Sequence, residues 1–189
     1  NLVKEKKPKN FLEIGIFHGV TARNVCELLN AIHGDNFKFT GIDLFMTEYE
    51  ILKDEFAPNT KFSNPLKNIY YKYIQRINPY SYEAVKNLLK KYKNNIEIIK
   101  GNSNKVLQTI ETHYFDYVFL DGGHKYETVL FDLKCLTKVI ENNGIILCDD
   151  YDLTYAPGVK KAIDEYVLLN NFNLKILNSR FAEITKNLN

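Results

Sequence analysis

Acidic residues close four of the five apolar runs that could form the inner strands of a sheet. Glu13 lies at the end of the first run, Asp43 ends the second, Asp121 follows the fourth, and Asp149 and Asp150 follow the fifth. In open α/β sheets, ligands bind outside the carboxyl ends of the strands. We therefore treat these acids as candidates for binding a ligand or a cation. Helix capping and turn formation are the alternative uses of the same residues.

The sequence EIGIFHG places Gly15 and Gly19 in a turn between an apolar run and a helical pattern. Glycine in such a turn lets a ligand approach the backbone. A dinucleotide site requires GxGxxG, and here Phe17 stands where the middle glycine belongs. Glu13, just before the turn, would repel a pyrophosphate and attract a cationic ligand. The pattern disfavours an NAD-dependent dehydrogenase, which we keep as an alternative, together with a tight turn that binds no ligand.

Two further polar positions could contact a nucleoside. Asp43 ends the second apolar run, where a carboxylate can accept hydrogen bonds from both hydroxyls of a ribose. Asn102 and Ser103 follow the third run and could offer polar atoms to the edge of an adenine. A role in turns or helix N-termini is the alternative for all three residues.

Strand-like and helical runs alternate along the chain, which predicts an α/β fold with a parallel sheet covered by helices on both faces. The last two strand-like runs are separated by only three residues, so they must form an antiparallel hairpin. The length of 189 residues suits a single domain, residues 1–189. We predict strands over residues 10–15, 37–43, 96–100, 115–121, 144–150, 172–177 and 181–185, and helices over residues 21–32, 102–111, 125–140 and 159–169.

The segment 47–95 is much longer than one crossover helix requires. It contains helical patterns over residues 46–56, 65–77 and 81–93, separated by prolines, and it is rich in tyrosine. We interpret it as a helical insertion that forms a lid over the acceptor side of the pocket. The alternative is an elaborated crossover whose tyrosines pack its own helices together.

Composition excludes several classes of protein. The net charge of +2 is too small to indicate a nucleic-acid partner, and no apolar run approaches the length of a membrane span. We therefore expect a cytoplasmic protein that binds neither nucleic acid nor membranes. The three cysteines are far apart and form no CxxC, so we expect free thiols rather than a zinc site. The chain does not begin with Met, and we expect it to be a fragment of a longer protein.

The motifs ExGxxxG, GID, GNS and FDYVFLDGGH together resemble a class I S-adenosylmethionine (SAM)-dependent methyltransferase. The stretches LDGGHKYETVLFDL, CDDY and GVKKAIDEY are similar to the metal-dependent O-methyltransferases related to macrocin O-methyltransferase and the cephalosporin hydroxylase-like proteins. The resemblance covers nearly the whole chain except the insertion. It implies a Rossmann-like, doubly wound, mostly parallel sheet of strand order 3-2-1-4-5-7-6 with an antiparallel C-terminal hairpin.

The resemblance also assigns cofactor contacts. It places Glu13 near the methionine end of SAM and Asp43 at the ribose, with Leu44 packed on the adenine. The implied set of cofactor-binding residues is Glu13, Gly15, Phe17, Gly19, Asp43, Leu44, Asn102, Ser103 and Asp121. Phe17 departs from the family, in which many members have glycine at this position.

In these relatives the positions of Asp121, Asp149 and Asp150 bind a divalent cation, usually Mg²⁺. Elementary electrostatics also favours a cation at this position. Carboxylates at the ends of adjacent strands, which lie about 4.8 Å apart, repel one another unless a hard cation lies between them. Solvated turn residues are the alternative. His124, three residues after Asp121, has a side-chain type whose pKa suits a general base, with a helix-capping or supporting role as its alternative.

We therefore expect a SAM-dependent methyltransferase that O-methylates a hydroxyl of a small molecule or sugar. The cation would lower the pKa of the acceptor hydroxyl, His124 would accept its proton, and Asp121 would belong to the same catalytic centre. The alternatives are an NAD-dependent dehydrogenase and a non-catalytic cofactor-binding domain of the same fold. The chain could also form a homo-oligomer.

Overall fold

A seven-stranded sheet forms the centre of the computed structural model, which describes residues 2–46, 62–178 and 180–187. The strand order is β3-β2-β1-β4-β5-β7-β6, as predicted. The strands are β1 (Asn10–Ile14), β2 (Lys38–Asp43), β3 (Ile96–Lys100), β4 (Phe115–Leu120), β5 (Ile140–Cys148), β6 (Asn173–Leu177) and β7 (Phe181–Thr185). The first five strands pair in parallel, and β7 is antiparallel to both β5 and β6. The C-terminal hairpin is thus confirmed.

Helices and short helical turns connect these strands. They are α1 (Leu2–Lys6), α2 (Val20–His33), α3 (Pro65–Ile69), α4 (Tyr82–Leu88), α5 (Ser103–Val106), α6 (Tyr126–Val139) and α7 (Pro157–Asn170). A π-helical turn, Tyr70–Gln75, continues α3, and 3₁₀ turns follow α4 (Lys90–Tyr92) and α5 (Leu107–Thr109). The predicted helix over residues 102–111 is therefore a short α-helix followed by a 3₁₀ turn, with Asn102 as its N-cap.

The core lies on both faces of the sheet because successive strand residues point to opposite sides. Phe11 stacks between Phe39 and Tyr117 on one face, with ring centroids 5.7 and 5.2 Å apart. Leu12, its neighbour in β1, belongs to the cluster on the other face together with residues of α6 and α7. Burial of inner strands on both faces explains why they read as nearly continuous apolar runs.

The fifth strand ends two residues earlier than the sequence predicts. The parallel ladder stops at Cys148, which pairs with Leu120. Asp150 has φ of 58°, a left-handed conformation that cannot continue a strand. The two acids therefore stand beyond the sheet, at its carboxyl edge.

The described part of the insertion packs on the same face as Phe11. Val85 and Leu89 are fully buried there with Tyr80 and Tyr92. The helix predicted over residues 46–56 lies outside the described residues, apart from its first residue. Cys26, Cys135 and Cys148 are free thiols, as expected, although Cys135 is only partly buried. Within the described ranges, no helix is both long enough and apolar enough to cross a lipid bilayer.

Candidate active site

The glycine turn after β1 is shaped by the protein itself. Gly15 has φ of 89°, and a Cβ atom at this position would lie 1.8 Å from the carbonyl oxygen of Asp121. Gly19 has φ of 73°, and its Cβ would lie 3.3 Å from the side chains of both Val85 and Leu88 in the insertion. The close approach that requires Gly15 is therefore made by the chain leaving β4. The insertion helix α4 covers the other end of the turn.

Asp43 holds the glycine turn in place. Its Oδ2 accepts hydrogen bonds from the backbone N–H groups of Ile16 (2.8 Å) and Phe17 (2.9 Å). Its Oδ1 accepts from the N–H of Phe45 (2.7 Å) and from the hydroxyl of Tyr80 (3.0 Å). A carboxylate has about four acceptor sites. The buried Asp43 therefore satisfies all of them with protein donors.

Glu13 is the most deeply buried acid of this edge, with 1% of its surface exposed. Its Oε2 atom has no hydrogen-bond partner among the described residues. Burial, and then the charges of Asp121 and Asp43, raises the pKa of the Glu13 carboxyl well above its ordinary value. A buried carboxylate oxygen without a partner is costly, and a positively charged ligand would offset this cost.

The predicted nucleoside contacts lie at the ends of β2 and β3. Leu44 is 43% exposed directly after Asp43, which leaves an apolar side chain open to solvent. Asn102 is exposed, and its side-chain oxygen accepts from the N–H of Asn104. The hydroxyl of Ser103 donates to Asp132 of α6 at 2.7 Å. Asp132 is buried. It was not identified from the sequence because it lies within a helical pattern rather than at the end of an apolar run.

The second half of the site brings Asp121, His124 and Asp150 together. One ligand atom from each of the three residues lies within 4.8 Å of the others. Nε2 of His124 is 2.8 Å from Oδ2 of Asp150. The loop that carries His124 packs against α7, where a Cβ at Gly158 would lie 2.9 Å from the His124 carbonyl oxygen. These three residues line a small cleft together with Gly122, Gly123 and Asp149.

Asp149 has a different partner, which sequence reasoning missed. The guanidinium of Arg180 binds the Asp149 carboxylate through two hydrogen bonds of 2.6 and 2.8 Å. The same guanidinium lies 3.4 Å from Oδ1 of Asp150. Arg180 immediately precedes β7, which is antiparallel to β5 and therefore begins beside the carboxyl end of β5. Cys148 of β5 pairs with Ala182 of β7, which brings Arg180, two residues earlier in the chain, to the carboxyl end of β5.

Burial and neighbouring charges shift the pKa values of the two carboxyls in this cleft in opposite directions. Burial, followed by the charges of Asp149 and Asp150, raises the pKa of Asp121 to about 7. Burial acts in the same direction on Asp150, but hydrogen bonds from His124 and Tyr155 outweigh it and hold the pKa of Asp150 below its ordinary value. Oδ1 of Asp150 is buried without a hydrogen-bond partner among the described residues. Three carboxylates share one guanidinium here, and this excess of negative charge fits a divalent cation.

The fold and the site define a class of protein. A seven-stranded Rossmann-like sheet with an antiparallel seventh strand, and acids at the carboxyl ends of β1, β2, β4 and β5, is the arrangement of the class I methyltransferases named above. Residues 12–151 match the family model described as "Methyltransferase domain". The chain belongs to this methyltransferase family.

One curated relative is an uncharacterized protein, R132, of Acanthamoeba polyphaga mimivirus. It is 28% identical to this chain over 168 residues, which are 86% of the chain. The chain spans 61% of the length of that relative.

Solved methyltransferase structures share the fold. The structure of Podospora anserina PaMTH1 bound to S-adenosylhomocysteine (SAH) covers 99% of this chain at a TM-score of 0.65 and 19% identity, over 75% of its own length. The O-methyltransferase NovP gives 99% coverage, a TM-score of 0.69 and 18% identity, again over 75% of its length. CalS11, a TDP-rhamnose 3′-O-methyltransferase, covers 97% of this chain at a TM-score of 0.58 and 15% identity, over 75% of its own length. At these identities the likeness shows the fold.

Proposed function

We propose that this protein transfers the methyl group of SAM to a hydroxyl oxygen of a small molecule or sugar. The observation that carries the proposal is the buried Oε2 of Glu13 beside the glycine turn, which has no hydrogen-bond partner in the part of the chain that the structure describes. SAM carries an ammonium group and a sulfonium centre, so it supplies positive charge as well as an electrophilic methyl group. The SAH-bound structure of PaMTH1, which has the same fold, supports this choice of ligand.

Each end of the cofactor has a complementary group in the proposal. Glu13 pairs with the positively charged methionine part, and Asp43 accepts from the ribose hydroxyls. The exposed side chain of Leu44 offers an apolar surface to the adenine, and Asn102 and Ser103 lie at the adenine edge. Gly15, Phe17 and Gly19 form the turn between these two ends. In-line transfer then depends mainly on holding the acceptor oxygen and the methyl group in line.

The acceptor side of the proposal lies at Asp121, His124 and Asp150. We assign the carboxylates of Asp121, Asp149 and Asp150 to a divalent cation, most simply Mg²⁺, with His124 beside them. Such a cation supplies Lewis acidity that lowers the pKa of a bound hydroxyl. Asp149 would contribute only after Arg180 releases it, because two hydrogen bonds now occupy its oxygens.

His124 is the proposed general base. Because its Nε2 faces the Asp150 carboxylate, the proton resides on Nε2 and the opposite nitrogen, Nδ1, is the basic atom. The acceptor O–H bond breaks as the proton passes to Nδ1, and the oxygen forms its new bond to the methyl carbon. The bond between that carbon and the SAM sulfur breaks at the same time, and SAH leaves. Asp150 orients the imidazole and stabilises the imidazolium that forms. TDP-rhamnose, the substrate of CalS11, supports a sugar or another polar diol as the acceptor class.

A thermal unfolding panel tests the proposal. SAH at one hundred times its dissociation constant should stabilise the protein by about 2.7 kcal/mol, which corresponds to a rise in Tm of roughly 5–11 °C. NAD at the same concentration should leave Tm unchanged. Mg²⁺ should raise Tm, and EDTA should reverse that rise. A rise with NAD and none with SAH would favour a dehydrogenase and refute the proposal.

The panel also separates the cofactor from the cation. A rise with SAH and no response to Mg²⁺ would retain the methyltransferase and reject the metal site. Turnover distinguishes an enzyme from a non-catalytic domain of the same fold. Transfer of a labelled methyl group from SAM to a panel of sugar nucleotides and polar diols should release SAH, and binding of SAM without any release would favour the non-catalytic alternative.

A further inference from the structure

Tyr80 occupies the fourth acceptor site of Asp43. The other three are filled by backbone N–H groups of the glycine turn and of Phe45. These three donors belong to the chain segments on either side of the cofactor site, and they cannot leave without rebuilding the turn. The Tyr80 hydroxyl belongs to a side chain of the insertion, so it is the one donor in this set that can exchange.

Packing contacts and hydrogen bonds hold the Tyr80 side chain in place. Its side chain is 6% exposed. The ring lies 5.4 Å from that of Phe17 and 6.2 Å from that of Phe45. Its backbone N–H donates to the side chain of Asn78 at 2.9 Å. Two residues later α4 begins, which packs on Gly19 through Val85 and Leu88. The insertion is thus anchored on the glycine turn and on Asp43 together.

The Tyr80 hydroxyl remains a donor at every physiological pH. Burial, and then the charge of Asp43 and the hydrogen bond to it, raises the pKa of this phenol above its ordinary value. The N–H of Met46 donates to the same hydroxyl oxygen. The neutral phenol of Tyr80 therefore occupies the acceptor site of Asp43 that a ribose hydroxyl would use.

We propose that Tyr80 is an internal competitor for the ribose, and that cofactor binding replaces the Tyr80–Asp43 hydrogen bond with a ribose–Asp43 hydrogen bond. This inference rests on the proposed function, because it assigns Asp43 to the ribose. Its consequence is specificity, because a ribose offers a hydroxyl donor in exchange for the phenol, whereas a sugar without these hydroxyls offers none. A second consequence is that loading of the cofactor releases the Tyr80 side chain from Asp43.

The test is calorimetric titration of SAH into the wild-type protein and into Tyr80→Phe. The matched control is Tyr82→Phe, since Tyr82 contacts the same Phe45 ring at 5.7 Å and carries no hydrogen bond to Asp43. Removal of the competing phenol should tighten SAH binding by about tenfold, the fold-change expected from one hydrogen bond to a charged group. Tyr82→Phe should bind SAH as the wild type does. Tighter binding by the control as well would refute the specific role of Tyr80.

A second readout does not depend on absolute affinity. The ratio of the dissociation constants of 2′,3′-dideoxyadenosine and adenosine should rise about tenfold in Tyr80→Phe, because the ribose hydroxyls then gain a full hydrogen bond. Weaker SAH binding by Tyr80→Phe would mean that the phenol contacts the cofactor, and it would overturn the proposal. An unchanged affinity and an unchanged ratio would overturn it as well. If the wild type binds no SAH, the proposed function fails first; if it does bind SAH, only the role of Tyr80 is at stake.

Discussion

Replacement of Gly15 by alanine tests whether the glycine turn is required by the protein chain rather than by a ligand. The new Cβ would lie 1.8 Å from the carbonyl oxygen of Asp121 and 2.5 Å from its carbonyl carbon, so the backbone after β4 must move. Such overpacking costs about 1–3 kcal/mol, and a positive φ adds about 1–2 kcal/mol for any residue with a Cβ. Reduced freedom of the unfolded chain offsets about 0.4–1 kcal/mol. We expect Gly15→Ala to lower the free energy of unfolding by about 3 kcal/mol.

Gly19→Ala is the matched control, because Gly19 has φ of 73° and ψ of 14°, in the left-handed region, and a Cβ there would lie 3.3 Å from side-chain atoms rather than against the backbone. It should lose only about 1 kcal/mol, the cost of the left-handed backbone. Urea denaturation measures both values, and the difference of about 2 kcal/mol corresponds to roughly 4–8 °C in Tm. Equal losses in the two variants would refute the argument from the Asp121 carbonyl. A stable Gly15→Ala that fails to bind SAH would assign the glycine to the ligand instead.

Two further predictions concern acids whose partners were missed from the sequence. Burial raises the pKa of Asp132 to about 6, above its value of 3.8 when exposed, so its stabilising contribution is complete below about pH 4 and is lost as the pH rises through about 6. Asp132→Asn should flatten this fall in the free energy of unfolding by up to about 3 kcal/mol, measured by urea denaturation across this pH range. Equal pH slopes in the wild type and in Asp132→Asn would contradict this. Arg180→Met should destabilise the protein by about 1–3 kcal/mol at neutral pH, because the buried Asp149 loses its partner, and it should increase the rise in Tm on addition of Mg²⁺. Arg23→Met should change neither quantity. A smaller Mg²⁺ response than that of the wild type would refute competition between Arg180 and a cation.

The strands and the sheet order could be predicted because the signal is local. Inner parallel strands read as apolar runs, and the short link between residues 177 and 181 permits only a hairpin. The end of β5 was wrong by two residues, since nothing in the run IILCDD shows that Asp150 adopts a left-handed conformation. Asp150 contacts His124 and Arg180, which are 26 and 30 residues away along the chain and carry no local signal in this run.

The acids of the site could be predicted because each one closes an apolar run. Their partners could not, because they depend on tertiary packing. Arg180 reaches Asp149 through the register of β5 and β7. Tyr80 reaches Asp43 from the insertion, and the sequence pattern does not predict where the insertion packs. Asp132 was hidden because a buried acid in a helix looks like any solvated helical acid until its neighbours are known. Two structural roles could not be predicted from the sequence either. Gly15 allows the chain after β4 to pass close to the turn, and Asp43 accepts hydrogen bonds from the backbone of that turn.

In the proposed function Glu13 pairs with the positively charged part of SAM, and calorimetric titration with SAH and SAM tests this pairing most directly. Both ligands should bind the wild type. Glu13→Gln should bind both about tenfold to a hundredfold more weakly, because it loses a charged hydrogen-bond partner, yet it should be at least as stable thermally, because a buried charge is removed. Glu27→Gln, an exposed change on α2, should match the wild type in binding and in Tm. Wild-type affinity in Glu13→Gln, or a wild-type protein that binds neither ligand, would contradict the account.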